Sequence, residues 1–270
     1  MRIPDITKVL FKKSPYRKLG ISWLREKIIK HNDSSNLKSI HACGKHINYM
    51  SNEELIHSLQ EIFIENIYKF DSYTKKPLII DCGAHIGMSI LFFKQQYPDS
   101  TVLAFEPDSN NFELLQKNII EWSFDNVKLF QNPVWNSNDE ITFQASGAMG
   151  GKISGKSENS ESNIRLKAVR LSEVLDKEVD FLKIDIEGVE YEVIKDCKHK
   201  LHFVNNLFVE YHSTFEEQNK LTEILQIIND AGFKFYIKEA NNIYPIPFIK
   251  KKINTSFDIQ LNIFAFRDSK

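Results

Sequence analysis

From residue 77 onward, apolar-rich runs and amphipathic stretches alternate with a regular beat. The runs at 78–81, 101–106, 126–131, 179–185, 206–211 and 233–238 read as strands. Between them, 87–96, 109–121, 188–197 and 215–231 carry apolar positions at helical spacing. Strands alternating with helices predict an α/β fold: a mostly parallel sheet, right-handed crossovers and helices on both faces. The last run, 258–267, alternates Ile259, Leu261 and Ile263 with polar partners. It is expected to insert antiparallel beside the strand before it. Residues 134–170 break the beat, with short strands expected at 141–145 and 164–170 around a polar loop, 146–163. A loop of that length in a compact domain is more often functional than accidental.

The first 76 residues follow a different pattern. Over Tyr16 to Lys30, Leu19, Trp23, Leu24 and Ile28 share one helical face, with Lys and Arg on the other. Ser51 and Glu54 have the spacing of a capping box. The helix they open carries Leu55, Leu59, Ile62, Phe63, Asn66 and Ile67. The expected organisation is an N-terminal helical extension over 1–76 and an α/β domain over 77–270. The extension reads as a packing element or lid.

At 270 residues and 42% hydrophobic, the chain can bury one large core, or one core and a small appendage. A net charge of -1 supplies no overall field for polyphosphate, so nucleic acid is not an expected partner. The charge is uneven, however. In residues 1–30 nine basic residues face Asp5 and Glu26, a local +7, which leaves -8 for the rest. Weak contact of this basic helix with a membrane surface is the one macromolecular partner the asymmetry suggests. Cys43, Cys82 and Cys197 show neither metal nor disulfide spacing, which suits a reducing cytoplasm. No apolar stretch reaches membrane-spanning length, and the N-terminus lacks the apolar core and cleavage site of a secretory signal.

The densest chemical signal is Leu78 to Gly87, an apolar strand ending at Asp81, a turn with Gly83 and Gly87, and a helix start. Gly83 can turn where a Cβ would clash, and Gly87 lets backbone come close to a ligand. The spacing D-x-G-x-x-x-G misses the dinucleotide fingerprint G-x-G-x-x-G. Asp81 is placed to receive an ammonium, directly or through water. The methionine end of S-adenosylmethionine has such a group and NAD does not. The second strand ends at Glu106-Pro107. A carboxylate at that tip can accept both hydroxyls of a ribose.

Two later strand tips carry ionisable residues: Asp185 and Glu187 on one, Glu210 and His212 on the next. In a doubly wound sheet such tips line the ligand crevice. Methyl transfer from a sulfonium needs an aligned acceptor and, for a hydroxyl, a base. His212 has a suitable ordinary pKa, and close carboxylates can raise one another into a useful range. Alternatively, Asp185, Glu210 and His212 could hold a divalent cation. Lys183 and Glu187 could equally be plain ion-pair or capping residues. Trp135 and Tyr211 could stack on a sugar, although core packing is the commoner use of such rings.

These segments together resemble the FkbM family of methyltransferases. The matching pieces are Ile80 to Gly87, Phe105 to Asp108, Leu182 to Glu190 and Val209 to His212. The run Lys183-Ile184-Asp185-Ile186-Glu187-Gly188-Val189-Glu190 is the most specific of them, and the match in order and spacing runs over roughly 60–265. The resemblance implies a class I, Rossmann-like methyltransferase fold with a seven-stranded sheet and an antiparallel last strand. It implies S-adenosylmethionine as cofactor and O-methylation of sugars or polyketide-type hydroxyls. The cofactor residues are then Asp81, Gly83, Ala84, His85, Gly87, Ser89, Glu106, Pro107 and Asp185. The catalytic, acceptor-side residues are His212, Glu210, Asp185 and Glu187. His85 stands where the family usually has Asn, and Pro133-Val134 where an Ala is usual. The expected function is O-methylation of a carbohydrate hydroxyl in surface polysaccharide synthesis, on a nucleotide-linked or glycan sugar. A polyketide or lipid-linked acceptor, or a non-catalytic cofactor-binding scaffold, are the alternatives.

Overall fold

A computed structural model describes residues 14–31, 36–144, 152–153, 163–249, 251 and 256–268. The strands are β1 (Lys38–Ala42), β2 (Lys45–Tyr49), β3 (Leu78–Cys82), β4 (Thr101–Phe105), β5 (Val127–Phe130), β6 (Val134–Trp135), β7 (Glu140–Gln144) and β8 (Lys152–Ile153). They continue with β9 (Asn163–Lys167), β10 (Val169–Arg170), β11 (Val179–Ile184), β12 (Val204–Ser213), β13 (Lys234–Glu239) and β14 (Ile259–Phe266). The α-helices are α1 (Trp23–His31), α2 (Asn52–Ser58), α3 (Met88–Gln96), α4 (Ser109–Trp122), α5 (Leu171–Val174), α6 (Glu190–Cys197) and α7 (Gln218–Asp230).

Seven strands form the main sheet in the order β13-β14-β12-β11-β3-β4-β5. The run from β12 to β5 is parallel, and β14 pairs antiparallel with both β12 and β13. This is the seven-stranded sheet with an antiparallel last strand expected from the sequence. Strand alternation divides the core between the two faces of the sheet. Ile79, Phe181 and Phe208 point to one face, where Ile90, Leu91 and Phe93 of α3 and Leu115, Ile119 and Trp122 of α4 meet them. Ile80, Leu182, Leu207 and Val209 point to the other, against Val193 and Ile194 of α6 and Ile224 and Ile228 of α7.

β12 runs two residues past its expected end because β14 extends the ladder, pairing Glu210 with Asn262 and His212 with Gln260. Glu210 and His212 therefore sit on rigid strand rather than in a loop.

The extension differs most from expectation. It contains a hairpin, β1–β2, closed by Cys43 and Gly44 with φ of 53° and 74°. Two positive-φ residues are the requirement of a tight turn whose twist matches the strands. Helix α1 begins only after a 3-10 turn, Pro15–Leu19, and Gly20 at φ 87°. Leu24 and Ile28, expected on the packed face, are 62% and 53% exposed, whereas Ile21 and Ile29 are buried. Ser51 caps α2 by accepting from the Glu54 N–H at 3.3 Å. The helix then widens into a π-helical turn, Leu59–Ile64, so the Ser51 helix is not continuous in geometry. The hairpin is sewn to α4: Asn118 Oδ1 accepts from the Asn48 backbone and side chain at 2.8 and 3.0 Å. Leu55 and Leu59 share the core of α3 and α4.

Residues 1–13, and most of the polar 146–163 loop, lie outside the described residues. Among the described residues, no helix is long and apolar enough to cross a membrane.

Candidate active site

At the carboxyl ends of β3, β4, β11 and β12 lies a cavity of about 600 Å³, a size typical of small-molecule sites. Helix α2 and the π-helical turn form one wall, with Glu54, His57 and Glu61. Gly83, Ala84, His85, Met88 and Ser89 form the second, and Glu106, Pro107 and Asn132 to Val134 the third. Asp185, Glu187, Glu210 and His212 close the fourth, with Phe257 and Gln260 beside them.

The glycine bend is set by a close backbone approach. A Cβ on Gly83, at φ 93°, would stand 1.9 Å from the Asp185 carbonyl oxygen. Only glycine fits there. Gly87 has a different role from the one expected. At φ 94° it starts α3, and a Cβ on it would meet Leu115 at 2.8 Å. It faces the core and not the cavity, so its lack of a side chain serves helix packing.

Asp81 also departs from expectation. Its side chain is fully buried and does not line the cavity. Ser89 Oγ donates to Oδ2 at 2.5 Å, and Lys183 Nζ lies 3.3 Å from Oδ1. The buried Lys183 ammonium also reaches Asp185 at 3.1 Å and donates to the Gly83 carbonyl at 2.6 Å. Burial opposes its charge, but Asp185 and Asp81 outweigh that and hold its pKa well above the ordinary lysine value. Lys183 is thus the internal cation that lets two strands bring acids together. Sequence reasoning gave it only an ion-pair reading, which is the one the structure bears out. Asp81 Oδ1 makes no hydrogen bond within the protein.

Glu106 is buried at the tip of β4, accepting from the backbone N–H of His85 at 2.8 Å and of Asp108 at 2.9 Å. Each oxygen has a remaining lone pair. Burial raises its pKa to about 7, against the lowering effect of His85. His85 has φ 48°, and its Nε2 lies 3.2 Å from Glu54 of α2. Burial would lower this imidazole, but the Glu54 contact wins and raises it. Glu54 was read from sequence only as a cap residue, and its contact with the cofactor bend carried no signal in spacing.

On the acceptor wall His212 is buried, and its Nδ1 lies 3.2 Å from Glu190 Oε1. Glu190 is fully buried and also accepts the backbone N–H groups of Ile186, Gly188 and His212 at 2.9 to 3.3 Å. With an acceptor-only partner at Nδ1, the ring carries a proton there and turns Nε2 to the cavity side. Nε2 lies 3.4 Å from Glu210 and 3.8 Å from Glu187. Burial opposes the imidazolium, yet the three glutamates raise His212 well above the ordinary value. His212 Nε2 and the Glu210 carboxylate thus stand side by side at the cavity wall, where either can face an acceptor hydroxyl. Glu187 is held at φ 59°, a backbone region non-glycine residues seldom adopt. Burial lifts Glu187 to about 7 and Glu61 to about 8, with neighbouring acids adding to both. Glu61 and Glu190 were missed as site residues. Glu190 lies inside the Lys-Ile-Asp-Ile-Glu-Gly-x-Glu run, where its spacing two residues past Gly188 was the available clue.

Tyr211 is 1% exposed and packs in the core, and Trp135 packs against that same cluster. Neither lines the cavity, so neither is placed to stack on an acceptor.

The donor set fits S-adenosylmethionine: two acceptor oxygens at Glu106 for a diol, an acidic wall for a sulfonium, and room between. Residues 81–235 match the family model described as the methyltransferase FkbM domain. The chain is 27% identical over 211 residues to "Methyltransferase sdnD" of Sordaria araneosa, covering 64% of this chain and 80% of that protein. It is 28% identical over 183 residues to "Methyltransferase 1" of Beauveria bassiana, covering 58% and 72%. A solved FkbM methyltransferase from Methylobacillus flagellatus shares 17% identity at a TM-score of 0.49. That likeness covers 77% of this chain and 47% of the other, so the chain spans about half of that protein. M. jannaschii TYW2, solved with AdoMet, gives 10% identity, a TM-score of 0.48, and coverage of 88% and 89%. With more than half of its length matched by that domain, the chain belongs to the FkbM family of S-adenosylmethionine-dependent methyltransferases.

Proposed function

We propose that this methyltransferase transfers its methyl group to a hydroxyl of a carbohydrate acceptor, an O-methylation serving surface polysaccharide synthesis in the cytoplasm. The observation that supports this reading is the row of Asp185, Glu187 and Glu210 facing the cavity beside the glycine bend. S-adenosylmethionine supplies a methyl on a sulfonium, and its departure as a thioether needs no proton. The protein's work is then to align a hydroxyl and remove its proton as the new C–O bond forms. Glu210 is the base we assign, because its carboxylate lines the cavity while His212 beside it is buried and committed to Glu190 through Nδ1. Glu210 accepts the O–H proton, and His212 Nε2, 3.4 Å away, helps to fix the position of its carboxyl group. Glu106 holds the ribose diol, and the Ser89 and Asp81 pair supports the bend that carries the methionine end.

Carboxylates suit a polyol well, since they are strong acceptors for several hydroxyls. They suit a pyrophosphate poorly, so a nucleotide-linked sugar would keep its phosphates outside this wall. That favours a glycan or free sugar hydroxyl over a nucleotide sugar. The exposed Leu24 and Ile28 on the lysine-rich α1 favour, as a second reading, an acceptor presented at a lipid surface.

The test is an intact-mass and fragmentation screen of oligosaccharides, nucleotide sugars and lipid-linked sugars incubated with the enzyme and S-adenosylmethionine. A gain of one methyl on oxygen, lost in Glu210→Gln, supports the reading. Methylation confined to nitrogen or carbon acceptors overturns it.

A further inference from the structure

The same wall carries a second arrangement, which shares Asp185 with the expected cofactor contacts. One ligand atom each from Asp185, Glu187 and His212 lie within 4.8 Å of one another. Two are carboxylates and one is a neutral-capable imidazole nitrogen, a donor set that suits a divalent cation of the Mn²⁺ or Mg²⁺ kind. In an octahedral site with bonds of about 2.1 Å, ligand atoms stand roughly 3.0 to 4.2 Å apart. The three atoms need only a slight contraction to reach that.

The orientation of His212 is the independent observation. Its side chain is 2% exposed. Nδ1 is committed to Glu190, whose own side chain is wholly buried. Nε2 is left aimed into the acid ring, with Glu210 at 3.4 Å and Glu187 at 3.8 Å. Both are longer than the roughly 2.7–2.9 Å of a charge-assisted N–H···O bond. A ligating histidine typically donates its other nitrogen to a carboxylate, which fixes ring and tautomer. Glu190 is in that position here. Glu187 is brought to the ring by its left-handed backbone at φ 59°, next to Gly188, where a Cβ would press on Phe257 at 3.0 Å.

The geometry points to a divalent-cation site formed by Asp185, Glu187 and His212 Nε2, with Glu190 as the residue that orients the histidine. The remaining coordination positions face the cavity and would take water or acceptor oxygens. This deepens the hydroxyl-acceptor reading, since a bound cation acidifies a coordinated hydroxyl whose proton Glu210 then accepts.

The test uses the full chain and MnCl₂ alone, without cofactor or acceptor. Equilibrium binding is followed by the loss of the free Mn²⁺ paramagnetic signal and by calorimetry. One equivalent should bind in the micromolar range. Glu187→Gln and His212→Ala should weaken it by about 10- to 100-fold, and Glu190→Gln by a similar factor through the ring it holds. Should His212→Ala or Glu190→Gln not fold, Glu187→Gln on the cavity wall carries the test. No Mn²⁺ binding at millimolar concentration, or binding that Glu187→Gln leaves unchanged, overturns the site. Because acceptor is absent, a wrong substrate class would leave this result intact. Conversely, sugar methylation that persists after chelation would retain the function and remove the metal.

Discussion

The His85 imidazole lies 3.2 Å from the Glu54 carboxylate, tying the cofactor bend of the sheet domain to a helix of the N-terminal extension. The extension is therefore part of the site it covers. Glu54→Gln should loosen that tie. The cost should be about 1 kcal/mol, typical of a partly exposed pair. The raised imidazole contributes stability that is fully present below its ordinary 6.5 and is lost as pH rises through its higher folded value. Thermal unfolding of wild type and Glu54→Gln across that range should converge at high pH. A constant difference at every pH would refute the electrostatic account.

Glu106 supports a second pH dependence. Burial raises this carboxyl to about 7, so it titrates in the neutral range in the free protein. A raised carboxyl favours folding when protonated, so its contribution to apo stability is lost as pH rises through about 7. Diol binding runs the other way, since the ionised form is the better acceptor. Affinity for S-adenosylhomocysteine, read by calorimetry, should rise through that pH. Glu106→Gln should flatten the profile and weaken binding by about 10- to 100-fold.

Lys183 is the counter-ion for Asp81 and Asp185 together. Lys183→Met leaves two buried or half-buried acids uncompensated and should cost about 3–5 kcal/mol in urea unfolding. Adding Asp81→Asn to that variant should recover part of the loss, and the double-mutant cycle measures how much. Simple additivity would mean the two do not interact.

Gly83→Ala places a methyl 1.9 Å from a carbonyl oxygen at a backbone angle alanine avoids. The expected loss is about 3 kcal/mol or more, with cofactor binding lost alongside. A folded variant that binds normally would mean the bend can shift.

The main sheet was legible in the sequence because its strands are short apolar runs buried on both faces, and the helices between them carry a clear apolar stripe. The last strand was legible from its alternation. The β1–β2 hairpin was not, because its turn is Cys43-Gly44 and not the Asn-Gly or Asp-Gly that marks such turns. Its alternation of Ile40 and Ala42 against Ile47 and Tyr49 was the signal available. The four acids and histidine of the site could be placed by strand tips alone. Their partners could not: Glu54 and Glu61 arrive from a helix more than twenty residues upstream of the bend, a relation that only the fold supplies. Asp81 misled because its position at the strand end says nothing about which way Lys183, on the neighbouring strand, will turn it.

The backbone contact between Gly83 and the Asp185 carbonyl welds donor bend and acceptor wall into one rigid joint. Redesign toward new acceptors is then best directed at cavity residues that hang from other elements, such as Glu61 and Asn241, which lie outside the junction on which methyl delivery depends.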